Sequence, residues 1–174
     1  TCLISSNEGW GLSLTESMMA GTMIIANVTG GMQDQMRFEK DGKWIDFDSD
    51  FPSNHRGTVK EHGEWAIPVF PSNISLTGSV PTPYIFDDRC RPEDAAQAIL
   101  EAFNLSKEER DNRGLKGREW AMSDESGFTA KNMSYAIGNT INETIEKFIP
   151  RPRFDLIKIV DQPRKYIKHK LLNY

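Results

Sequence analysis

The chain has 174 residues, of which 38% are hydrophobic and 26% are charged. This length suffices for one domain with a hydrophobic core and is marginal for two, so a complete two-domain enzyme is not expected. The sequence has neither an apolar run long enough to span a membrane nor a signal-peptide pattern at its start, which favours a cytoplasmic protein. Because the first residues, from Thr1, resemble the second half of a buried strand, we interpret the sequence as a fragment of a longer chain.

The net charge of −4 is unevenly distributed. From residue 151 to the end, seven Lys and Arg residues stand against two Asp residues, so the rest of the chain is strongly acidic. An acidic body argues against a nucleic-acid partner, because nucleic-acid binding needs clustered positive charge. Cys2 and Cys90 are too few for a disulfide framework, and no Cys or His pair has the spacing of zinc ligands, so we expect no metal site.

The beginning of the chain predicts a βαβ unit. A first strand ends near Ile4, and residues 12–20 favour a helix that ends at Gly21. Residues 22–27 form a short apolar run between glycines, as is typical of a strand buried on both faces of a parallel sheet. A second, short helix is predicted from residue 32 to about residue 39.

The stretch from about residue 40 to residue 91 predicts a long insertion. It is rich in Pro, Asp and Ser, and its brief apolar runs at 65–70 and 84–86 predict one or two short strands. Residues 78–84 could line an acceptor site, but a surface loop shaped by its prolines is the favoured interpretation.

Helices are predicted again after the insertion. Pro92 suits the first position of a helix, and Ser106 opens a capping box for the next one. A long helix that ends before Pro150 is predicted from a stripe of apolar residues with near-helical spacing, Met133, Ile137, Ile141, Ile145 and Phe148.

The glycine-bearing turn before the first helix is the best candidate for a ligand site. In an open parallel sheet, ligands bind beyond the carboxyl ends of the strands, where loops meet helix N-termini. Gly9 and Gly11 would let the backbone approach a ligand, and the free amides from Gly11 to Leu14 would point at it. The pattern predicts an anion site suited to a diphosphate, although its glycines do not complete a dinucleotide-binding or P-loop motif.

Two carboxylates accompany this turn. Glu16, in the second turn of the helix, could accept the hydroxyl groups of a ribose, and Glu8 would meet the other end of the ligand. The alternative is that Glu16 is a solvated helix residue and that Glu8 is a loop acid near a helix start, where acidic residues are favoured anyway.

Three short segments together carry a resemblance to a known family. Residues 8–16 read E-G-W-G-L-S-L-T-E, residues 20–26 read A-G-T-M-I-I-A, and residues 30–34 read G-G-M-Q-D. They resemble the nucleotide-sugar site of retaining glycosyltransferases with the GT-B fold, the group 1 family. Its pattern is E-G-F-G-L-x-x-x-E, then A-x-G-x-P-V-I-A, then G-G-x-x-E or D. Trp10 stands where the family has Phe, and Met23 stands where it has Pro.

The resemblance implies an α/β fold for residues 1–150, a Rossmann-like parallel sheet with flanking helices that forms the C-terminal part of a GT-B enzyme. It implies a retaining, hexosyltransferase-type transfer from a nucleotide diphosphate-sugar donor to an acceptor that the sequence leaves open. Glu8 would act in catalysis on the transferred sugar, and Glu16 would bind the ribose. The other donor-binding residues would be Gly9, Trp10, Gly11, Leu12, Gly30 and Gly31.

The family also implies what lies outside this sequence. No metal or other cofactor is expected, because side chains and the helix dipole stabilise the leaving group. An N-terminal acceptor domain, and the Arg and Lys that neutralise the diphosphate, would precede Thr1, so the fragment alone would be inactive. The alternatives are a non-catalytic sugar-nucleotide-fold domain used for binding or assembly, and an unrelated α/β domain in which the E-x7-E pattern arose by chance.

The basic tail, residues 151–174, interleaves apolar and basic residues. The favoured interpretation is that it crosses back to the N-terminal domain, as GT-B chains typically do. The alternative is an amphipathic segment on anionic lipid, which would make the protein membrane-associated.

Overall fold

The structure, a computed structural model, describes residues 1–45 and 55–151. The chain divides into two units, Thr1–Ile137 and Gly138–Tyr174. In chain order the elements are β1 (Cys2–Leu3), α1 (Leu12–Met19), β2 (Ile24–Asn27), α2 (Gly31–Asp34), β3 (Glu39–Lys40), β4 (Lys43–Trp44), β5 (Ala66–Val69), β6 (Asn73–Ser79), β7 (Thr82–Arg89), α3 (Pro92–Asn104), α4 (Lys107–Ala121) and α5 (Ala130–Lys147).

A small parallel sheet with the strand order β1-β2-β5 forms the centre of the first unit. The central strand β2 pairs with both neighbours, and Ile25 lies opposite Cys2 on one side and Ile67 on the other. Successive β2 residues point to opposite faces, so Ile24 belongs to one hydrophobic cluster and Ile25 to another. All four residues of β2 are buried, as expected of a parallel strand covered on both faces.

Helices cover both faces of this sheet. On one face, α1, α2 and α4 contribute buried side chains that include Leu14, Met32 and Trp120. On the other face, α3 packs against β5 through Ala98. The predicted α/β class, with a parallel sheet and flanking helices, is confirmed in this form, and it is compatible with a Rossmann-type domain.

The second predicted helix is shorter than its sequence indicates. Helix α2 ends at Asp34 instead of continuing to about residue 39. Arg37 adopts a left-handed backbone conformation with φ 50°, which interrupts a right-handed helix. The chain then forms an antiparallel pair in which Glu39 lies opposite Trp44, so the prediction for this segment is wrong beyond Asp34.

The stretch from about 40 to 91 contains more strands than the one or two that its composition predicts. Besides β4, it contributes β5 to the central sheet and the antiparallel hairpin of β6 and β7. Residues 78–84, predicted as a loop, form the end of this hairpin, where Ser79 pairs with Thr82. The side chain of Tyr84 is 77% exposed there.

The three later helices are confirmed. Pro92 occupies the first turn of α3, and the Ser106 hydroxyl accepts a hydrogen bond from the Glu109 amide at 3.1 Å at the start of α4. Helix α5 begins at Ala130 and buries none of its residues. None of the helices in the two described ranges is long and apolar enough to cross a membrane. The predicted basic tail lies, beyond Arg151, outside the described residues.

Candidate functional site

The loop that joins β1 to α1 leaves the carboxyl end of a parallel strand. It ends at Gly11, the N-cap of α1, which has a left-handed conformation with φ 82° and receives no side-chain cap. The first hydrogen bond of the helix runs from the Leu14 amide to the Gly11 carbonyl oxygen at 2.9 Å. The Leu14 amide is therefore not free, contrary to the prediction from the sequence. The amides of Leu12 and Ser13 precede that bond, and both residues are exposed. The helix therefore begins with two exposed residues and the positive end of its dipole.

The two glutamates of the predicted motif are accessible to a ligand. Glu8 is half-buried in the loop, and Glu16 is exposed on α1. Neither carboxylate forms an ion pair within the part of the chain that the structure describes. Both oxygens of each carboxylate can therefore accept hydrogen bonds from hydroxyl groups of a ligand.

The glycines of the motif have two different surroundings. A Cβ atom added at Gly9 would meet no atom within 4 Å, so the backbone there is open to an approaching molecule. A Cβ atom at Gly30 would lie 2.1 Å from the Glu8 carbonyl oxygen, and one at Gly31 would lie 2.4 Å from the Gly9 carbonyl oxygen. Gly30 and Gly31 thus bring the loop after β2 into direct contact with the Glu8 loop.

The side chain of Trp10 is bound by the protein itself. Its indole Nε1 donates a hydrogen bond to the Thr15 hydroxyl at 2.9 Å. Its ring also makes an edge-on contact with Phe128 at a centroid distance of 5.0 Å. Among the predicted donor-binding residues, the ring of Trp10 is therefore engaged within the protein, whereas Leu12 is 66% exposed.

Gln35 lies beneath this loop and was missed by the sequence analysis. Its side chain is fully buried, and its Nε2 donates to the Trp10 carbonyl oxygen at 2.5 Å. The Thr15 hydroxyl in turn donates to Gln35 Oε1 at 2.7 Å. The sequence carries no signal for this contact, because Gln35 follows the G-G-M-Q-D segment and no periodicity marks it.

A second buried polar group was also missed, and it ties the hairpin to the loop. Asn27 Nδ2, at the end of β2, donates to the carbonyl oxygens of Ser5 at 2.9 Å and Asp88 at 2.7 Å. The Thr29 hydroxyl donates to Asp88 Oδ2 at 2.7 Å, and the Asp88 amide donates to the Ser6 carbonyl oxygen at 2.7 Å. Strand β7 therefore runs beside the loop that carries Glu8.

The electrostatics of the site include one perturbed acid. Asp34 is the last residue of the G-G-M-Q-D segment, and burial raises the pKa of its carboxyl group. Among the residues that the structure describes, no group of three or more His, Cys, Asp and Glu side chains is placed to hold a metal ion.

Residues 1–51 match the family described as glycosyl transferases group 1. The matched range contains β1, α1, β2 and α2, and therefore all of the candidate site residues from Glu8 to Gly31. The match supports a group 1 glycosyltransferase domain and, with it, glycosyl transfer in general. Comparisons with curated proteins and with solved structures gave no match.

Proposed function

We propose that this chain is the donor-binding part of a retaining GT-B-type glycosyltransferase, which transfers a sugar from a nucleotide diphosphate-sugar to an acceptor. One observation carries the proposal. The family match falls on a loop and helix start whose amides and two glutamates are accessible, at the carboxyl end of a parallel sheet.

Each part of the site has a role in this proposal. The amides of Leu12 and Ser13, with the dipole of α1 behind them, bind the diphosphate and stabilise the charge that develops on it as the glycosidic bond breaks. Glu16 accepts hydrogen bonds from the ribose hydroxyls. Glu8 contacts the transferred sugar near its anomeric carbon. Retention rests on the resemblance of the motif, and it predicts a product with the same anomeric configuration as the donor.

The ribose role of Glu16 is tested by calorimetric titration of the full-length protein with UDP-glucose, UDP-N-acetylglucosamine and GDP-mannose. Removing a charged hydrogen-bond acceptor should weaken binding about ten- to a hundredfold in Glu16→Ala. Glu101→Ala, an exposed glutamate on α3, is the matched control and should bind like the wild type. Absence of binding by the wild type, or an unchanged affinity in Glu16→Ala, contradicts the proposal.

The catalytic role of Glu8 separates an enzyme from a non-catalytic binding domain. A contact that strengthens in the transition state affects turnover more than donor affinity. Glu8→Gln should therefore lower kcat by about a hundredfold or more and change the donor Kd only a few-fold. Donor hydrolysis by the full-length protein, measured with Glu101→Ala beside it, gives the comparison. Donor binding without any turnover by the wild type would favour the non-catalytic alternative.

A further inference from the structure

We propose that Gln35 is a positioning residue for the donor loop: its side-chain amide holds the Trp10–Gly11 backbone so that the first amides of α1 present themselves to the diphosphate. This inference rests on the proposed function and adds a residue that lies outside the E-x7-E pattern.

A closed set of hydrogen bonds carries the inference. Gln35 Nε2 donates to the carbonyl oxygens of Trp10 at 2.5 Å and Gly11 at 3.4 Å. Gln35 Oε1 accepts from the Thr15 hydroxyl at 2.7 Å, and that hydroxyl accepts from Trp10 Nε1 at 2.9 Å. One buried amide therefore fixes both the backbone and, through Thr15, the side chain of Trp10.

A primary amide of this length satisfies the set. The Trp10 carbonyl requires a donor, and the Thr15 hydroxyl, which accepts from the indole, requires an acceptor for its own proton. An ionised carboxylate would supply the acceptor but not the donor, and a thioether would supply neither. The loop therefore requires a side chain at position 35 that carries both a hydrogen-bond donor and an acceptor.

The support is anchored in the core. The backbone carbonyl of Gln35 accepts a hydrogen bond from Trp65 Nε1 at 3.0 Å, and Trp65 is 5% exposed. The adjacent Met36 is fully buried, and its carbonyl oxygen accepts from the Gly63 amide at 2.8 Å. Gln35 therefore connects the core directly to the backbone of the donor loop.

The position of this loop decides where the donor amides point. Gly11 is the N-cap of α1 and has no side chain of its own to hold it. Its left-handed backbone and its bond to Leu14 set the direction of the Leu12 and Ser13 amides. Since hydrogen bonds weaken steeply away from linear geometry, a loosened Gly11 should weaken contact with the diphosphate.

The test uses single substitutions in the full-length protein. Gln35→Met removes both hydrogen-bonding functions, and Thr15→Val breaks the link that Thr15→Ser restores. Ile67→Ala is the control, because Ile67 is a core residue in the hydrophobic cluster on the opposite face of the sheet. Each variant is measured by hydrogen exchange of the loop amides without ligand and by calorimetric titration with UDP-glucose, UDP-N-acetylglucosamine and GDP-mannose.

We expect Gln35→Met and Thr15→Val to speed exchange in residues 9–14 and to weaken donor binding at least tenfold. Thr15→Ser and Ile67→Ala should keep wild-type affinity within about twofold, although Ile67→Ala lowers the melting temperature. If Gln35→Met binds the donor as tightly as the wild type, the positioning role is overturned and the proposed function is not. The same holds if Ile67→Ala loses as much donor affinity as Gln35→Met. A wild type that binds none of the three donors overturns the proposed function, and the positioning role with it.

Discussion

A methyl group added at Gly31 would lie 2.4 Å from the Gly9 carbonyl oxygen and 2.8 Å from Trp10 Cε3, whereas one added at Gly9 would meet no atom within 4 Å. Gly31 is therefore required by packing between the two loops. The free space around Gly9 would instead allow a ligand to approach the backbone closely.

This difference predicts opposite phenotypes for two alanine variants. Gly31→Ala forces the loops apart and should lower the free energy of unfolding by about 1–3 kcal/mol. Gly9→Ala should change it by less than about 0.5 kcal/mol and still weaken donor binding. Chemical denaturation and titration of both variants provide the measurement, with each serving as the other's control. Equal loss of stability in the two variants would contradict this assignment.

We expect buried His55 to make the stability of the protein sensitive to acid. The side chain is 2% exposed, and its ring lies edge-on to Phe38 at a centroid distance of 4.3 Å. Burial lowers the pKa of His55 below its ordinary value. Between the two pKa values the unfolded chain binds more protons than the folded protein, so stability is complete above the unfolded pKa and decreases as the pH falls below it.

Replacing His55 should remove this response. We expect the free energy of unfolding of the wild type to fall between pH 7 and pH 5, with a contribution from this group of at most about 1.4 kcal/mol per pH unit. His55→Phe, which keeps an aromatic ring beside Phe38, should show a flatter profile. Urea denaturation at several pH values measures both slopes, and identical slopes would show that another group is responsible.

At the scale of elements, buried polar contacts join the hairpin of β6 and β7 to the central sheet. Asn27 bridges the carbonyl oxygens of Ser5 and Asp88, which joins the ends of β1, β2 and β7. Asn7 adds a bond from its Nδ2 to the Phe86 carbonyl oxygen at 3.3 Å. With the bonds of Asp88 to Thr29 and Ser6, the Asn27 amide therefore helps to hold β7 beside the donor loop.

Asn27→Ala should release the hairpin locally. The buried carbonyl oxygen of Asp88 and the half-buried one of Ser5 lose this donor, so we expect a loss of about 1–3 kcal/mol in the free energy of unfolding. Amides of β7, including that of Asp88, should exchange faster. Asn112→Ala, an exposed position on α4, is the matched control and should change stability by less than about 0.5 kcal/mol. Unchanged exchange in β7 would show that other contacts hold the hairpin.

Elements whose signals are local were predictable, and elements that depend on distant contacts were not. The apolar run of β2 and the cap at Ser106 are written in a few adjacent residues. That cap predicts where α4 begins, but the packing of α4 through glycines was not predictable: a Cβ atom at Gly114 would lie 2.0 Å from the Gly21 carbonyl oxygen, and one at Gly117 would lie 2.8 Å from Trp65 Cβ. Such close approach leaves no apolar stripe for a sequence pattern to show.

The same distinction applies to the candidate site. Glu8, Gly9, Gly11 and Glu16 lie within nine consecutive residues, so their spacing alone indicates a loop and helix start. Gln35 approaches Trp10 across 25 positions of sequence, and Asp88 approaches Asn27 across 61. Tertiary packing creates these contacts, and neither the residue types nor the neighbouring sequence predict them.

At the scale of the whole molecule, the described residues include groups of exposed apolar side chains on the β6–β7 hairpin, on α3 and on α5. On the hairpin, Leu76 lies directly opposite Phe86, and these side chains are 57% and 61% exposed. On α5, the stripe that predicted the helix is at least half exposed, from Ile137 at 51% to Ile145 at 69%. The prediction of this helix is confirmed. Its apolar stripe, however, does not pack into the core formed by the residues that the structure describes.

The aromatic contacts of Trp10 have a spectroscopic consequence. Trp10 touches Phe128, Phe128 touches Trp120, and Trp120 stacks on Trp65, with centroid distances of 5.0, 5.0 and 4.9 Å. Trp44 joins the same chain of rings through Trp120 at 5.8 Å, so all four tryptophans of the protein belong to it. Because these rings are in contact, we expect the indoles to make a coupled contribution to the near-ultraviolet circular dichroism of the protein. Trp10 lies in the loop that carries Glu8, so a movement of this loop on ligand binding should change that signal without any added label.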